Sequence, residues 1–195
     1  LPLLGVDDYE ADDLIATLSV EQSGPTRIVT GDRDLFQLVD DDRDVKVVYL
    51  AKGVSNHDLV DLKWISRKYE IPGDRYALFA MIRGDSSDGL PGIKGIGEKG
   101  AAYIANNFDS LPAVIAAARK GDERLTANHQ KKLIESSEYA AIAPKLVNCA
   151  TDVTIPKMII DLPKSPASMK DLMRLKEQYG LGASIDRVIN AFGWS

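Results

Sequence analysis

The sequence predicts an α/β fold, with a mostly parallel central sheet carrying helices and joined to a mostly helical subdomain. Three observations predict it. Short β-branched runs, Arg27 to Thr30 and Val45 to Leu50, lie among helical-period segments before Ile71. After Ile71 to Asp74 the apolar spacing is almost wholly helical. A glycine-rich stretch, Gly89 to Gly97, then interrupts the helical half.

Each element follows from local chemistry. Residues 10–22 place Leu14, Ile15 and Leu18 at helical spacing, and Ser23 to Pro25 stop the helix. "TRIVTGDRD" reads as a strand ending in glycine and acids, and "DLFQLV" as one or two helical turns. "VKVVYL" is a second strand. "SNHDLVDLKWISRKYE" predicts a helix capped by Ser55 or Asn56, with Leu59, Leu62, Ile65 and Tyr69 on one face. "DRYALFAMIRG", "EKGAAYIANNF", "SLPAVIAAARKG" and "HQKKLIESSEYAAIAPKLV" follow as helices. Thr151 to Pro156 is expected to rejoin the sheet as a strand, and two more helices close the chain after a linker at Pro163 to Pro166. The expected division is an α/β portion over residues 1–72, a helical subdomain over 73–148, and an edge strand with terminal helices over 149–195.

Composition bounds the function. The chain has 195 residues, an ordinary 45% apolar share and no apolar run of membrane-spanning length. No signal-peptide pattern opens it. Cys149, the single cysteine, excludes an internal disulfide, fits a reducing compartment and reads as a small core residue. The net charge of −5 argues against a nucleic-acid partner only if the acids are not metal ligands. The chain begins at Leu1, which suggests a fragment or a processed form.

The acids fall in three clusters at element boundaries. Glu10, Asp12 and Asp13 open the first helix, where the helix dipole alone would favour them. Asp32 and Asp34 follow the first strand and would point to one side of an extended chain, or Asp34 would cap the following turn. Asp85 and Asp88 end a helix, where acids oppose the dipole. Seven carboxylates exceed what capping requires. An oxygen-only ligand set suits Mg²⁺ or Mn²⁺, and crowded acids are tolerable only with compensating cations. Two such ions about 4 Å apart activate water and stabilise a leaving oxygen in phosphodiester hydrolysis.

"GLPGIKGIGEKGAAYI" has helix–hairpin–helix form. Leu90, Ile93 and Ile96 would pin its loops, while Gly92, Gly95 and Gly97 permit close backbone approach. The helix from Glu98 presents free N–H groups to a DNA phosphate, with Lys94 and Lys99 adding charge.

In this order, "YEADDLIATL", "VTGDRDLFQLV" and "IRGDSSDGLPGIKGIGEKGA" resemble the bacterial 5′–3′ exonuclease and flap endonuclease family, which includes the N-terminal domain of DNA polymerase I and stand-alone relatives. The resemblance covers nearly the whole chain, and its end near Ser195 resembles a stand-alone member rather than a polymerase-linked domain. It implies a PIN-like 5′-nuclease fold with a helix–three-turn–helix subdomain, and catalytic metal ligands at Glu10, Asp12, Asp13, Asp32, Asp34, Asp85 and Asp88. It implies two or more Mg²⁺ or Mn²⁺ sites, and K⁺ held by the carbonyls of Ile93 and Ile96. DNA-phosphate contacts are implied at Gly92, Lys94, Gly95, Gly97 and Lys99. Arg33 and Arg83 are phosphate ligands if they face the site and surface ion-pair partners if not. The partner implied is duplex DNA with a 5′ flap or 5′ end, in the bacterial cytoplasm and at the nucleoid, with no membrane involved; no protein partner is indicated. Family members carry roughly a hundred residues before the first motif here, close to a small domain. That region supplies a further metal-binding aspartate and a basic helical arch, so a chain lacking it is expected to bind DNA and metal with weak or no cleavage, and an intact protein carrying it to be a nuclease.

Two rivals stand beside the nuclease. One is a non-catalytic duplex-DNA-binding module, the other an RNA-acting PIN-type nuclease. His57 and His129 read as surface residues, and Trp64, Tyr76 and Phe79 as core rather than base-stacking positions. Lys131 and Lys132 read as a solvated face, and Met169, Leu172, Met173 and Leu175 as a core stripe.

Overall fold

The structure, a computed structural model, describes residues 3–86, 88–156 and 161–194. Two compact units emerge: Val6–Thr154, and Leu1–Gly5 with Ile155–Ser195.

The larger unit opens with helix α1, Ala11–Glu21, which buries Leu14 and Ala16. Strand β1, Thr26–Thr30, leads through a 3₁₀ turn, Asp34–Leu38, to strand β2, Val45–Tyr49. The two strands pair in parallel, Ile28 opposite Val47, because residues 31–44 are long enough for a crossover. Strand β3, Asp58–Val60, pairs antiparallel to β2, Val60 opposite Val47. The sheet is therefore a mixed one of three strands in order β1-β2-β3 among the described residues, not mostly parallel. Residues 50–57 are too few for a parallel return.

Strand β3 also corrects the helix expected from Ser55. Helix α2 is only Leu62–Tyr69, capped by Asp61, whose Oδ1 accepts the Trp64 N–H at 2.6 Å. Val60 is fully buried against the sheet while Leu59 is half exposed, the alternation of a strand rather than a helical stripe. No strand forms over Thr151 to Pro156. Instead Thr17 Oγ1 accepts the Val153 N–H at 3.2 Å, so an α1 hydroxyl takes the place of a ladder partner.

Helix α3, Tyr76–Arg83, is buried along most of its length. Helices α4, Glu98–Asn107, α5, Leu111–Lys120, and α7, Ser137–Val147, pack against it, and α6, Ala127–Glu135, packs on α5 and α7. The long helix read from His129 breaks at Ser136, next to Ser137, whose Oγ donates to the Ile134 carbonyl at 2.6 Å. Phe36 joins sheet and helices. Its ring lies edge-on to Tyr49, Trp64 and Tyr76 at centroid distances of 4.9, 5.5 and 5.3 Å. Trp64, Tyr76 and Phe79 are thus core residues, as their spacing predicts.

In the smaller unit, helix α8, Met169–Gln178, and helix α9, Ala183–Phe192, are tied by a Lys176–Asp186 ion pair at 2.6 Å. Neither helix buries a residue, and Met173 and Leu175 stay more than a third exposed. The expected core stripe is half-buried at Met169 and Leu172 and exposed at Met173 and Leu175.

One contact decides how the helical half is set. Gly84 ends α3 at φ +76°, and Gly92 faces it at φ +64°. A Cβ on Gly84 would lie 2.6 Å from the Gly92 nitrogen, and one on Gly92 would lie 2.7 Å from the Arg83 carbonyl oxygen. The backbones touch, with the Ile93 N–H donating to the Ile82 carbonyl at 2.8 Å. Gly89 shares the positive φ, +70°, but has open space around it. Gly89→Ala should therefore cost about 1–2 kcal/mol, the left-handed penalty alone. Gly84→Ala and Gly92→Ala should each cost more, roughly 3 kcal/mol or above, because the backbones must also part. Urea unfolding midpoints at constant slope check this ordering.

Candidate metal centre

The end of β1 sets the first acids through its own polar side chains. Thr30 Oγ1 accepts the Asp32 N–H at 2.9 Å, and Asp32 Oδ1 accepts the Asp34 N–H at 2.9 Å. These two successive side-chain turns replace the extended chain that the sequence suggested. Leu35 and Phe36, both fully buried, anchor the 3₁₀ turn from below. Arg33, not Asp34, occupies the cap position of that turn, and an Asp34 carboxylate oxygen lies with the acids of the site.

Asp85 and Asp88 arrive from the other side. After Gly84 the chain forms a narrow hairpin. The Asp85 N–H donates to the Leu90 carbonyl at 2.9 Å and the Leu90 N–H to the Asp85 carbonyl at 2.8 Å. Asp85 is 7% exposed, whereas Asp88 lies exposed near the hairpin tip. One carboxylate oxygen each from Asp34, Asp85 and Asp88 lies within 4.8 Å of the others. Arg33 Nε donates to Asp85 Oδ2 at 2.9 Å, its Nη2 donates to the same oxygen, and Arg83 Nη2 stands 3.6 Å from it. Both arginines face the site.

These three residues fit a hard divalent cation. Their donors are all carboxylate oxygens. An octahedral Mg²⁺ with ligands at about 2.1 Å requires neighbouring oxygens about 3 Å apart, a modest contraction of this cluster. The electrostatics point the same way. Burial first, then the charges of Asp32, Asp88 and Asp85, push the Asp34 carboxyl up to about 6 against the opposing Arg33. The local anions are under-compensated, which a cation would relieve.

Asp34 also borders a second acidic cavity of about 240 Å³, lined by Glu10, Asp12, Asp13, Lys145 and Cys149 among others. Burial, then Asp32, Glu10 and Asp13, raise the Asp12 carboxyl above its ordinary value. Asp13 is already engaged: Oδ1 accepts the Ala150 N–H at 2.7 Å and Oδ2 the Glu10 N–H at 3.2 Å. It ties α1 to the segment after α7. Burial and the charges of Asp12, Asp13 and Asp34 push the half-buried Cys149 thiol up to about 12, so it stays protonated near neutrality. Lys145 was not foreseen: nothing in its helical sequence context distinguishes it from other surface lysines.

The glycine turns separate into two classes. Lys94, Gly95, Gly97 and Lys99 are exposed, while Gly92 is buried against Gly84 and its backbone faces the Tyr139 hydroxyl. The structure thus places Gly92 inside the subdomain and the others on its surface. Ile93 and Ile96 are buried and pin the loop, and the Ile93 carbonyl accepts the Ile96 N–H at 2.9 Å. Lys132, read as part of a solvated face, instead sends its ammonium to the Gly95 carbonyl at 2.6 Å. Lys131 keeps the expected surface role, pairing with Glu135 at 3.8 Å.

The raised Asp34 carboxyl makes folding stability depend on pH. The folded protein binds this proton more tightly than the unfolded chain, so neither form is penalised below about pH 3.8. The penalty for folding grows between there and about pH 6 and is complete above it. Asp34→Asn should therefore raise the melting temperature of chelator-treated protein at pH 7.5 and leave it little changed at pH 4. Mn²⁺ should stabilise the unmutated protein more at pH 7.5 than at pH 5, and thermal scans across pH check both.

Comparison with known proteins gives matches over both portions of the chain. Residues 1–70 match the family model described as 5′-3′ exonuclease, N-terminal resolvase-like domain, and residues 71–171 match 5′-3′ exonuclease, C-terminal SAM fold. A 5′-3′ exonuclease of Streptomyces coelicolor is 46% identical over 95% of the chain, which spans 62% of that relative's length. DNA polymerase I of Chloroflexus aurantiacus is 35% identical over 80% of the chain and 16% of the polymerase. A solved T5 5′-exonuclease with divalent zinc ions bound superposes with a TM-score of 0.61 at 20% identity, covering 75% of this chain and 52% of that one, and so shares the fold. With family models matching both its α/β and its helical portion, and with this level of identity to a curated relative, the chain belongs to the 5′-3′ exonuclease family, as a relative of the 5′-nuclease domain of DNA polymerase I.

Proposed function

We propose that this chain serves a structure-selective 5′ nuclease that hydrolyses DNA phosphodiesters with divalent cations, removing 5′ flaps or primer ends in replication and repair. The observation that carries the reading is the position of Asp34, shared between the Asp85–Asp88 cluster and the Glu10–Asp12–Asp13 cavity. Asp34, Asp85 and Asp88 would hold one Mg²⁺ or Mn²⁺, and Glu10 and Asp12, with Asp32 close enough to act on both Asp12 and Asp34, would hold another. When bound, such ions activate water and stabilise charge on the scissile phosphate. The chain's own residues do the rest. Asp13 fixes the acidic end of α1 against Ala150. Lys94, Lys99 and the first N–H groups of α4 present positive potential to a second phosphate of the same duplex. The Ile96 carbonyl is the more open of the two proposed K⁺ donors, because that of Ile93 accepts a backbone N–H. Selection of substrate would rest on duplex shape and phosphate spacing. The working portions are residues 1–72, 73–148 and 149–195, with the metal ligands and the grip in the first two.

A second reading, a duplex-binding module without cleavage, is favoured by one observation: the ion pairs from Arg33 and Arg83 already compensate Asp85. A labelled 5′-flap DNA in Mn²⁺ separates the two. The nuclease reading expects metal-dependent release of 5′ products, reduced about 100-fold or more by Asp34→Asn and by Asp85→Asn, with flap binding in chelator retained. Tight binding without cutting in the unmutated chain supports the module, or a catalytically crippled fragment of the nuclease, instead. Lys94→Met should weaken duplex binding evenly across sequences and lower the salt slope by about one, which filter binding across salt concentrations reads.

A further inference from the structure

Two guanidinium groups converge on a single buried oxygen, Asp85 Oδ2, yet they are held very differently. Arg83 lies on α3 with a side chain 13% exposed. Its Nε donates to the Gly84 carbonyl at 3.1 Å, and its guanidinium carbon sits 5.1 Å over the Phe79 ring. Arg83 is built into the core. Arg33 sits between two acids, in the turn between β1 and the 3₁₀ segment, with a side chain 38% exposed. Among the described residues its polar side-chain contacts go to Asp85, and the next residue in the chain is Asp34, another member of the carboxylate cluster. Beside it opens a cavity of about 560 Å³, whose lining includes Arg33, Arg83, Asp85, Ser86, Gly89 and Glu98. Arg33 can therefore leave Asp85 by side-chain rotation alone, into open space on the face that carries the start of α4.

We propose that Arg33 is an exchangeable counter-ion of the metal centre: a divalent cation displaces its guanidinium from Asp85, and the displaced guanidinium becomes a phosphate ligand of the bound DNA. The inference rests on the proposed metal-dependent nuclease reading and adds an order of events to it. A dication among Asp34, Asp85 and Asp88 competes with Arg33 for the same carboxylate and repels it at short range. Arg83, held by packing, remains as a fixed charge behind Asp85. The planar guanidinium that fits a carboxylate fits a phosphate equally well, in the same two-pronged geometry. Cation loading would thus switch Arg33 from guarding the ligand to gripping the substrate.

The test pairs metal binding with DNA binding. Mn²⁺ titration by calorimetry, without DNA, compares the unmutated protein with Arg33→Gln and Asp34→Asn. Removing a unit positive charge this close should tighten Mn²⁺ binding by Arg33→Gln about tenfold, while Asp34→Asn weakens it. Binding of a 5′-flap DNA is then measured with and without Ca²⁺. The unmutated protein should gain affinity on adding Ca²⁺, and Arg33→Gln should lose most of that gain. Arg33→Lys should restore part of the gain, since it keeps the charge without the fork. Equal or weaker Mn²⁺ binding by Arg33→Gln, with Asp34→Asn still weakened, overturns the exchange and leaves the metal centre standing. Mn²⁺ binding indifferent to Asp34→Asn overturns the metal centre and the exchange together. A Ca²⁺ gain preserved in Arg33→Gln overturns the phosphate role.

Discussion

Like-charge crowding around Asp34 is the constraint to which the rest of the molecule answers. Three separate pieces of chain deliver carboxylates to its neighbourhood: the start of α1, the end of β1 and the hairpin after α3. Left alone, such a gathering would push itself apart. The fold resists through rigid, local means. Asp13 spends both oxygens on backbone N–H groups, Asp32 spends one on the Asp34 N–H, and Asp85 is clasped by two arginines. The buried Leu35 and Phe36 then hold the turn against the aromatic core. The stability of that core is what allows the acids to remain close, a trade of local strain for function seen wherever ligands are preorganised.

The acids were legible in the sequence because each sits at an element boundary, where burial and periodicity stop explaining residue choice. Their division into two groups with Asp34 in common was not legible. It depends on the hairpin folding back through the Asp85–Leu90 bridge, a contact that no spacing along the chain announces. The strand β3 was misread for a related reason. Leu59, Leu62, Ile65 and Tyr69 obey a helical period, but Val60 pairs with Val47, and sheet closure overrode the local pattern. The glycines showed the opposite effect. Their crowding marked the turns correctly, yet only the fold separates Gly92, spent on internal packing, from Gly95 and Gly97 on the surface. Lys132 was hidden by its surroundings: "QKKLIE" looks like any solvated helix face until Gly95 is brought opposite it.

The positive groups divide in the same way as the acids. Arg83 is a fixture of the core, whereas Arg33 and Lys132 reach across from one element to a polar atom on another. Charges that bridge elements report on the distance between them. Any movement of the hairpin or of α6 changes the partner of a lysine or an arginine before it changes the hydrophobic core. The acidic total of the chain therefore says little about local charge, because cationic side chains stand at the two places, the hairpin and the glycine loop, where backbone and acids are also brought together.

The contact between Gly84 and Gly92 has a consequence for how this architecture can vary. Acid-bearing hairpin and glycine loop meet there through main chain alone, with no side chain interposed. Side-chain contacts can be retuned by small steps, a methyl at a time, but a junction of two peptide planes offers no such adjustment. Substitutions on either flank can change charge and affinity, while the offset between the two parts alters only by whole residues inserted or lost. A lineage inheriting this junction would be free to rewrite its chemistry and bound to keep its gauge.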